Sequence, residues 1–138
     1  MTGKKALEQI RDLEYEITAL KEYRERIQTR MTKVQGYDSV GTQRDLTRTM
    51  EKAAELQDRY IETGLQLDKM ILRLDAIRAK TLETIEKIDD SNLRLLLFLY
   101  YVRHESVTEI ERKTYITRAT IFRKLKKATL LYENKYNE

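Results

Sequence analysis

Residues 106–128 read SVTEIERKTYITRATIFRKLKKA, a stretch in which two helical patterns are separated by a tight turn. Ser106 followed by Glu109 forms a capping box, which predicts a short helix over residues 107–113. Thr117 stands where an N-cap is needed, immediately before the basic pattern of the last helix. The stretch therefore predicts two helices in close succession.

The connection between these helices covers only residues 114–116, and the last helix is predicted to end near residue 134. Two helices joined by so short a turn share one core, because their apolar faces meet at the crossing. The inward residues are then Ile110, Ile116, Ile121, Leu125 and Ala128. This arrangement is the layout of a helix-turn-helix.

The outward face of the last helix carries small, hydroxyl and basic side chains. Small or hydroxyl residues near its start let the backbone enter a DNA major groove, arginine can bridge O6 and N7 of guanine, and lysines neutralise phosphates. The residues predicted to contact base edges are Thr117, Arg118, Ala119, Thr120 and Arg123. The residues predicted to contact phosphates are Lys113, Lys124, Lys126 and Lys127.

The formal net charge of +4 is concentrated at the same end of the chain. Residues 100–138 hold nine of the 27 basic side chains and five of the 23 acidic ones, which leaves 18 of each in the first 99 residues. A basic helix end can simply complement the helix dipole, but these bases begin at the N-terminal turn, where the dipole disfavours them. The charge pattern therefore favours contact with a polyanion.

The first part of the chain is predicted to form a long helix over residues 4–35. Apolar residues recur there at alternating steps of three and four, with Arg24 as one charged interruption. Glu, Lys and Arg fill the other faces. The predicted seam is Ile10, Leu13, Ile17, Leu20, Arg24, Ile27, Met31 and Val34.

A turn is predicted at residues 36–41, GYDSVG, with Thr42 as the N-cap of a second helix of about 45 residues. The short loop predicts that both helices fold back as an antiparallel hairpin. Arg24 and Gln57 are polar seam positions that could fix its register or simply reach outward. The second seam reads Leu46, Met50, Ala53, Gln57, Tyr60, Gly64, Leu67, Ile71, Leu74, Ile77, Leu82, Ile85 and Ile88.

The second helix extends beyond the first from about Ile77 onward, so its apolar side there must pack against another part of the structure. Leu65, Leu72 and Ala79 also mark a second apolar stripe, offset from the seam. Both features indicate packing against either the C-terminal module or a second subunit.

Residues 89–92, DDSN, are predicted to end the second helix and to cap a third. Residues 93–102 are apolar nearly all round, which predicts a central strut buried on several sides. With no proline, four glycines and 36% charged residues, the chain is predicted to be all-α. We expect an antiparallel coiled-coil hairpin over residues 1–88 for dimerisation or partner binding, and a helix-turn-helix domain over residues 89–138.

Composition argues against an enzyme. Without cysteine, disulfides and thiolate chemistry are excluded, and His104 is the only histidine. We expect His104 to be a polar residue that closes a helix, and we predict no catalytic residues, metal or cofactor. Tyr100, Tyr101 and Tyr115 are interpreted as core and turn packing rather than as a base-stacking platform. No apolar run is long enough for a membrane span and no signal core follows Met1, so a cytoplasmic protein is expected.

Residues 86–102, EKIDDSNLRLLLFLYYV, are followed by VTEI at residues 107–110 and by the pattern Ile121, Arg123, Ala128. This combination resembles small phage and prophage proteins grouped with late-operon transcriptional regulators of the ArpU/RinA kind. Their C-terminal module is similar to region four of bacterial sigma factors. The likeness is good over about residues 85–130 and architectural elsewhere. It implies promoter DNA binding by the last helix, contact with RNA polymerase, and a bacterial host cell.

Two positions depart from the common helix-turn-helix pattern. Many such motifs have alanine where Glu111 stands, because the helices cross closely, and glycine where Tyr115 stands, because the turn favours positive φ. We therefore expect a modified turn at Tyr115 and a Glu111 side chain forced outward.

Two functions from different classes follow from these patterns. The leading hypothesis is a homodimeric transcriptional regulator that binds double-stranded DNA, with the hairpins setting the spacing of two recognition helices on half-sites. The alternative is a coiled-coil adaptor that docks onto RNA polymerase or another phage protein without direct DNA binding.

Overall fold

The computed structural model describes residues 2–35 and 43–138. In these ranges the protein is all-α, as predicted, with five α-helices, one π-helical turn and no strand. The predicted turn at residues 36–41 and the Thr42 cap lie outside the described residues. The helices are α1 (Gly3–Gln35), α2 (Gln43–Glu86), α3 (Ser91–Leu97), α4 (Val107–Thr114) and α5 (Arg118–Tyr136), and the π-helical turn Phe98–Val102 directly continues α3.

The buried side of α1 follows the predicted seam. Ile10, Leu13, Ile17 and Ile27 are buried, whereas Leu20, Arg24 and Met31 are half-buried. Because these positions recur every three or four residues, one stripe of a single helix is removed from water while its other faces keep their charges.

The seam of α2 differs from the prediction at several positions. Leu56 is buried and Gln57 is exposed, and Leu46 and Met50 are also exposed. Toward the end of α2, Thr81 is only 1% exposed, whereas Leu82 is 41% exposed.

Threonine can replace leucine on a buried helix face when its hydroxyl is satisfied locally. In α2 the hydroxyl of Thr84 donates to the carbonyl oxygen of Lys80 at 2.7 Å, and that of Thr63 donates to Arg59 at 2.6 Å. These bonds leave the methyl groups free to pack. Thr81, where the predicted seam is wrong by one residue, has a partner from another helix instead, because its hydroxyl accepts the Tyr132 phenol at 3.4 Å.

The antiparallel hairpin is seen within residues 15–72. Arg24 of α1 donates from Nε to the carbonyl oxygen of Tyr60 of α2 at 3.2 Å, and its guanidinium lies 3.9 Å from the centre of the Tyr60 ring. Further along α1, Arg30 shares a groove with Lys52 of α2. Later residues of α1 thus meet earlier residues of α2.

Gly64 sits in the middle of α2 because Arg24 crosses it. A Cβ atom at this position would lie 2.6 Å from Nη2 of Arg24. The polar seam residue therefore reaches across to α2, whereas Gln57 points away from the seam.

The chain forms two compact units, which divide it differently from the predicted boundary after residue 88. The first unit combines residues 1–14 with residues 73–138, and the second contains residues 15–72. The start of α1 and the end of α2 thus belong with the C-terminal helices. This first unit also shows what covers the end of α2, because Ile85 and Ile88 are buried in a cluster with residues of α3 and α5.

The third helix is the central strut of the first unit, as predicted. Its N-cap is Asp90, whose carboxylate accepts the backbone N–H groups of Asn92 at 2.9 Å and Leu93 at 3.3 Å. Two apolar clusters lie on different sides of the strut, and only Leu95 is exposed among its leucines. One cluster consists of Leu7, Ile85, Ile88, Leu93, Leu97, Ala128 and Tyr132. The other consists of Leu96, Leu99, Ile110, Ile121 and Leu125.

The last helix takes part in both clusters. Its first half supplies Ile121 and Leu125 to the helix-turn-helix core, and its second half supplies Tyr132 to the cluster that contains Leu7. The Glu133 carboxylate accepts the backbone N–H groups of Gly3 at 3.2 Å and of Lys4 at 2.5 Å. The end of α5 therefore caps the start of α1, where an acidic partner is favoured by the helix dipole.

Within the described ranges, every helix is too short or too polar to span a membrane.

Candidate nucleic-acid interface

The helix-turn-helix begins with a capped α4. The hydroxyl of Ser106 accepts the backbone N–H of Glu109 at 3.2 Å, which confirms the N-cap that the capping box predicts. Ile110 is the fully buried residue of this short helix and joins the core formed with α5. A locally capped helix with one buried anchor holds the turn that follows it.

The turn at Tyr115 is left-handed, so the expected modification of the turn is wrong. Tyr115 has φ 59° and ψ 21°, and its N–H donates to the carbonyl oxygen of Glu111 at 2.9 Å. The backbone thus adopts the conformation that glycine commonly supplies, with a side chain present. The Tyr115 ring is 93% exposed, so its predicted packing in the turn is also wrong. Glu111 is exposed, as expected.

Thr117 occupies the N-cap position of α5, as predicted, but its hydroxyl does not bond to the helix backbone. The hydroxyl instead donates to that of Thr120 at 2.9 Å. Backbone N–H groups of the first turn of α5 are therefore not capped by this side chain. Such groups at a helix start are suited to an anionic oxygen.

The packing of α5 confirms the predicted inward residues, since Ile121, Leu125 and Ala128 are buried. Ala119, Arg123 and Lys126 follow each other at helical spacing on the side turned away from this core. Among the predicted site residues, Thr120 and Lys124 are half-buried on the flank of the helix. The exposed ones are Lys113, Thr117, Arg118, Ala119, Arg123, Lys126 and Lys127.

Lys113 is set apart from the other predicted phosphate contacts by an internal ion pair. Its ammonium group pairs with Glu105, whose side chain is only 6% exposed. Arg103 also places Nε 3.8 Å from the same carboxylate oxygen. A nearly buried carboxylate needs such partners, so Lys113 has a structural role that its place in the sequence does not signal.

Phe122 is an exposed aromatic residue of α5 that was not among the candidates predicted from the sequence. Its side chain is 50% exposed, and the guanidinium of Arg118 lies 5.7 Å from the ring centre. An exposed apolar side chain on a helix that enters the major groove could contact the methyl group of thymine. The spacing of four residues from Arg118 is the signal that could have identified it.

His104 closes the helical run before α4, as expected. It has a left-handed backbone with φ 55°, and its Nε2 lies 2.6 Å from a carboxylate oxygen of Glu14. Glu14 also pairs with Arg78, so one carboxylate serves two side chains of the first unit. The described residues contain no group of acidic and histidine side chains that could hold a metal ion.

Burial raises the pKa of two tyrosines in the first unit. Burial raises the pKa of Tyr101, and a hydrogen bond with Thr129 opposes this effect in part. Burial likewise raises the pKa of Tyr132, against opposing hydrogen bonds with Thr81 and Thr84. Neither phenol adds negative charge near the basic face of α5 at neutral pH.

The chain matches no protein-family profile, no curated protein and no solved structure.

Proposed function

We propose that the protein is a phage-type transcriptional regulator that binds promoter or operator DNA through α5, in the cytoplasm of a bacterial host cell. The observation that carries this proposal is the charge of α5. Five basic side chains lie between Arg118 and Lys127, and no acidic residue follows Arg118 before Glu133. None of the five has an ion pair with a described residue.

A solvated helix face normally mixes both signs of charge, because like charges at helical spacing repel each other. The exposed face of α5 carries one sign only, and it does so on the second helix of a helix-turn-helix. This is the helix that enters the major groove in proteins with this motif. A DNA duplex would supply the missing negative charge.

The proposed roles follow the position of each side chain on α5. Ala119 is small and lets the helix approach the groove, and Arg123 lies one turn later, within reach of guanine O6 and N7. Lys126 and Lys127 follow at the distance of a further turn and contact phosphates. Thr117, Arg118 and Thr120 complete the base-contacting set, and Lys124 completes the phosphate-contacting set. Lys113 contacts a phosphate only if its pair with Glu105 opens.

We propose further that two copies associate through α2. Ile61, Leu65 and Leu72 are exposed along α2 in the second unit, with Leu72 70% exposed. From the sequence, either the C-terminal module or a second subunit was expected to pack against Leu65 and Leu72. Since no described residue covers them, a second subunit is the proposed partner, and two recognition helices would then read two half-sites.

The test is selection from a library of random DNA duplexes at two salt concentrations, with the mass of the protein in solution measured alongside. We expect enrichment of an inverted repeat by a dimer, and retention that falls steeply as salt rises. A protein that retains no duplex even at low salt would contradict the proposal.

The second candidate function is the adaptor, and the same exposed stripe of α2 favours it. A helix face with Ile61, Leu65 and Leu72 open to solvent suits a partner helix of RNA polymerase or of another phage protein. Tight capture of such a protein, together with no salt-sensitive retention of DNA, would favour the adaptor over the regulator.

A further inference from the structure

The second unit contains a groove between α1 and α2 that is lined mainly by cations. Arg30 and Lys33 line it from α1, and Lys52 and Arg59 line it from α2. Leu56 is also buried here, and Glu55 is the one acidic lining residue. Four of the five charged side chains around the groove are therefore positive.

These four cations form no ion pair with the part of the chain that the structure describes, and Glu55 is the one acidic side chain beside them. Arg30, Lys33, Lys52 and Arg59 are all exposed, and none of them forms an ion pair with a described residue. Each repels the others across the groove, so the hairpin holds together a cluster that an anion would stabilise.

The cluster joins the basic end of α1 to two cations of α2. The first 99 residues carry equal numbers of basic and acidic side chains, and antiparallel pairing brings bases from two distant segments to one place. A neighbouring groove of the same unit shows the ordinary balance, since Lys21 and Arg24 are accompanied there by Glu25 and Asp68.

The layout of the cations suits an extended anion better than a single ion. Lys52 and Arg59 are seven residues apart on one helix, which corresponds to about 10.5 Å along its axis. Arg30 and Lys33 face the groove from the other helix. Charges spread along a groove can follow successive phosphates of a nucleic-acid strand.

We propose that this groove is a second nucleic-acid contact, which binds the phosphate backbone without reading sequence. It relies on the proposed function for the identity of the polyanion, but its location follows from the hairpin alone. The groove adds affinity for any duplex, whereas α5 selects among duplexes.

The test uses full-length protein and compares two variants that each lose two exposed positive charges. The groove variant is Lys52→Gln/Arg59→Gln, both on α2, and the charge-matched control is Lys21→Gln/Lys69→Gln, one on each helix of the hairpin. The measurement is the affinity for a non-specific duplex over a series of salt concentrations. Thermal unfolding of both variants confirms that the surface substitutions leave the fold intact.

We expect the groove variant to lower the magnitude of the log–log salt slope by about 1.8, since each lost phosphate contact accounts for about 0.9. The control should keep the slope of the wild type. Equal slopes for the groove variant and the control would overturn the inference. Binding of poly-glutamate but not of duplex to the groove would overturn the assignment to nucleic acid.

A third variant, Lys126→Gln/Lys127→Gln, separates this inference from the proposed function. If this variant still binds duplex in a salt-sensitive way, and adding Lys52→Gln/Arg59→Gln to it removes that binding, the groove is confirmed as an independent contact. If the α5 substitutions alone remove all binding, the groove inference fails and the proposed function stands. If only the groove substitutions lower duplex affinity, the groove contact is supported and DNA binding by α5 is contradicted. A wild-type protein that binds no duplex at low salt would contradict both proposals.

Discussion

Tyr115 combines a left-handed backbone with a side chain that packs against almost nothing. The residue type predicted a modified turn, because tyrosine disfavours positive φ. The turn keeps its common form because α4 and α5 must both bring Ile110 and Ile121 into one core. Core packing therefore outweighs the local preference of one residue, and residue-type rules alone could not foresee this. The burial of Thr81 in place of Leu82 has a similar origin, since the Thr81 hydroxyl accepts the Tyr132 phenol at 3.4 Å, a partner that a hydropathy pattern does not show.

Replacing Tyr115 by glycine should stabilise the first unit. Relief of left-handed strain, set against the greater backbone entropy of glycine, gives an expected gain of about 0.5–1 kcal/mol in the free energy of unfolding. The measurement is denaturant or thermal unfolding of Tyr115→Gly beside Tyr115→Ala, which removes the ring but keeps the strain. If both variants had an equally lower free energy of unfolding than the wild type, this account would be contradicted, because the result would show that the ring contributes to packing.

At the scale of the elements, local signals in the sequence predicted the helices well. Asp90 and Ser106 cap α3 and α4 at the predicted positions, and the heptad pattern of α1 gave nearly its full extent. Contacts between elements were harder to foresee because they join distant segments. The Arg24 guanidinium on Tyr60 and the Glu133 cap on α1 depend on side-chain reach across helices, which periodicity does not encode.

The crossing of Arg24 over Gly64 predicts a coupled pair of substitutions. Alanine is normally favoured over glycine within a helix by about 1 kcal/mol, but its Cβ would displace the Arg24 guanidinium here. We expect Gly64→Ala to be near neutral in the wild type and to stabilise by about 1 kcal/mol in the Arg24→Ala background. Unfolding free energies of the four proteins in this double-mutant cycle provide the measurement. Purely additive effects would contradict the proposed crossing.

At the scale of the whole molecule, the chain pairs its beginning with its end. Residues up to Glu14 form one compact unit with residues 73–138, whereas the sequence suggested a division after residue 88. Amphipathic patterns showed that the end of α2 needed a cover but not which segment supplied it. Leu7 and Tyr132 supply part of that cover, from opposite ends of the chain. Helix α5 is thereby anchored to the first turns of α1 as well as to α4.

This anchoring bears on the proposed function, because a helix that reads DNA must be held rigidly. The inward side of α5 is held in two buried clusters, with Ile121 in one and Tyr132 in the other, and its basic side chains lie on the opposite, exposed side. The face itself makes no ion pairs with described residues. The candidate residues for this face were identified from the sequence, because helical spacing places Arg123 and Lys126 opposite the core. Phe122 and the buried Glu105 were not, since their roles depend on neighbours that only the fold brings near.

The most direct test of DNA reading by α5 compares Arg123→Ala with Lys126→Gln/Lys127→Gln on a selected duplex and on a scrambled one. We predict that Arg123→Ala weakens binding to the selected duplex by about 1–3 kcal/mol and narrows the difference between the two duplexes. The lysine variant should weaken both duplexes alike and flatten the salt dependence. Equal effects of the two variants on both duplexes, or none at all, would contradict the claim that α5 reads DNA.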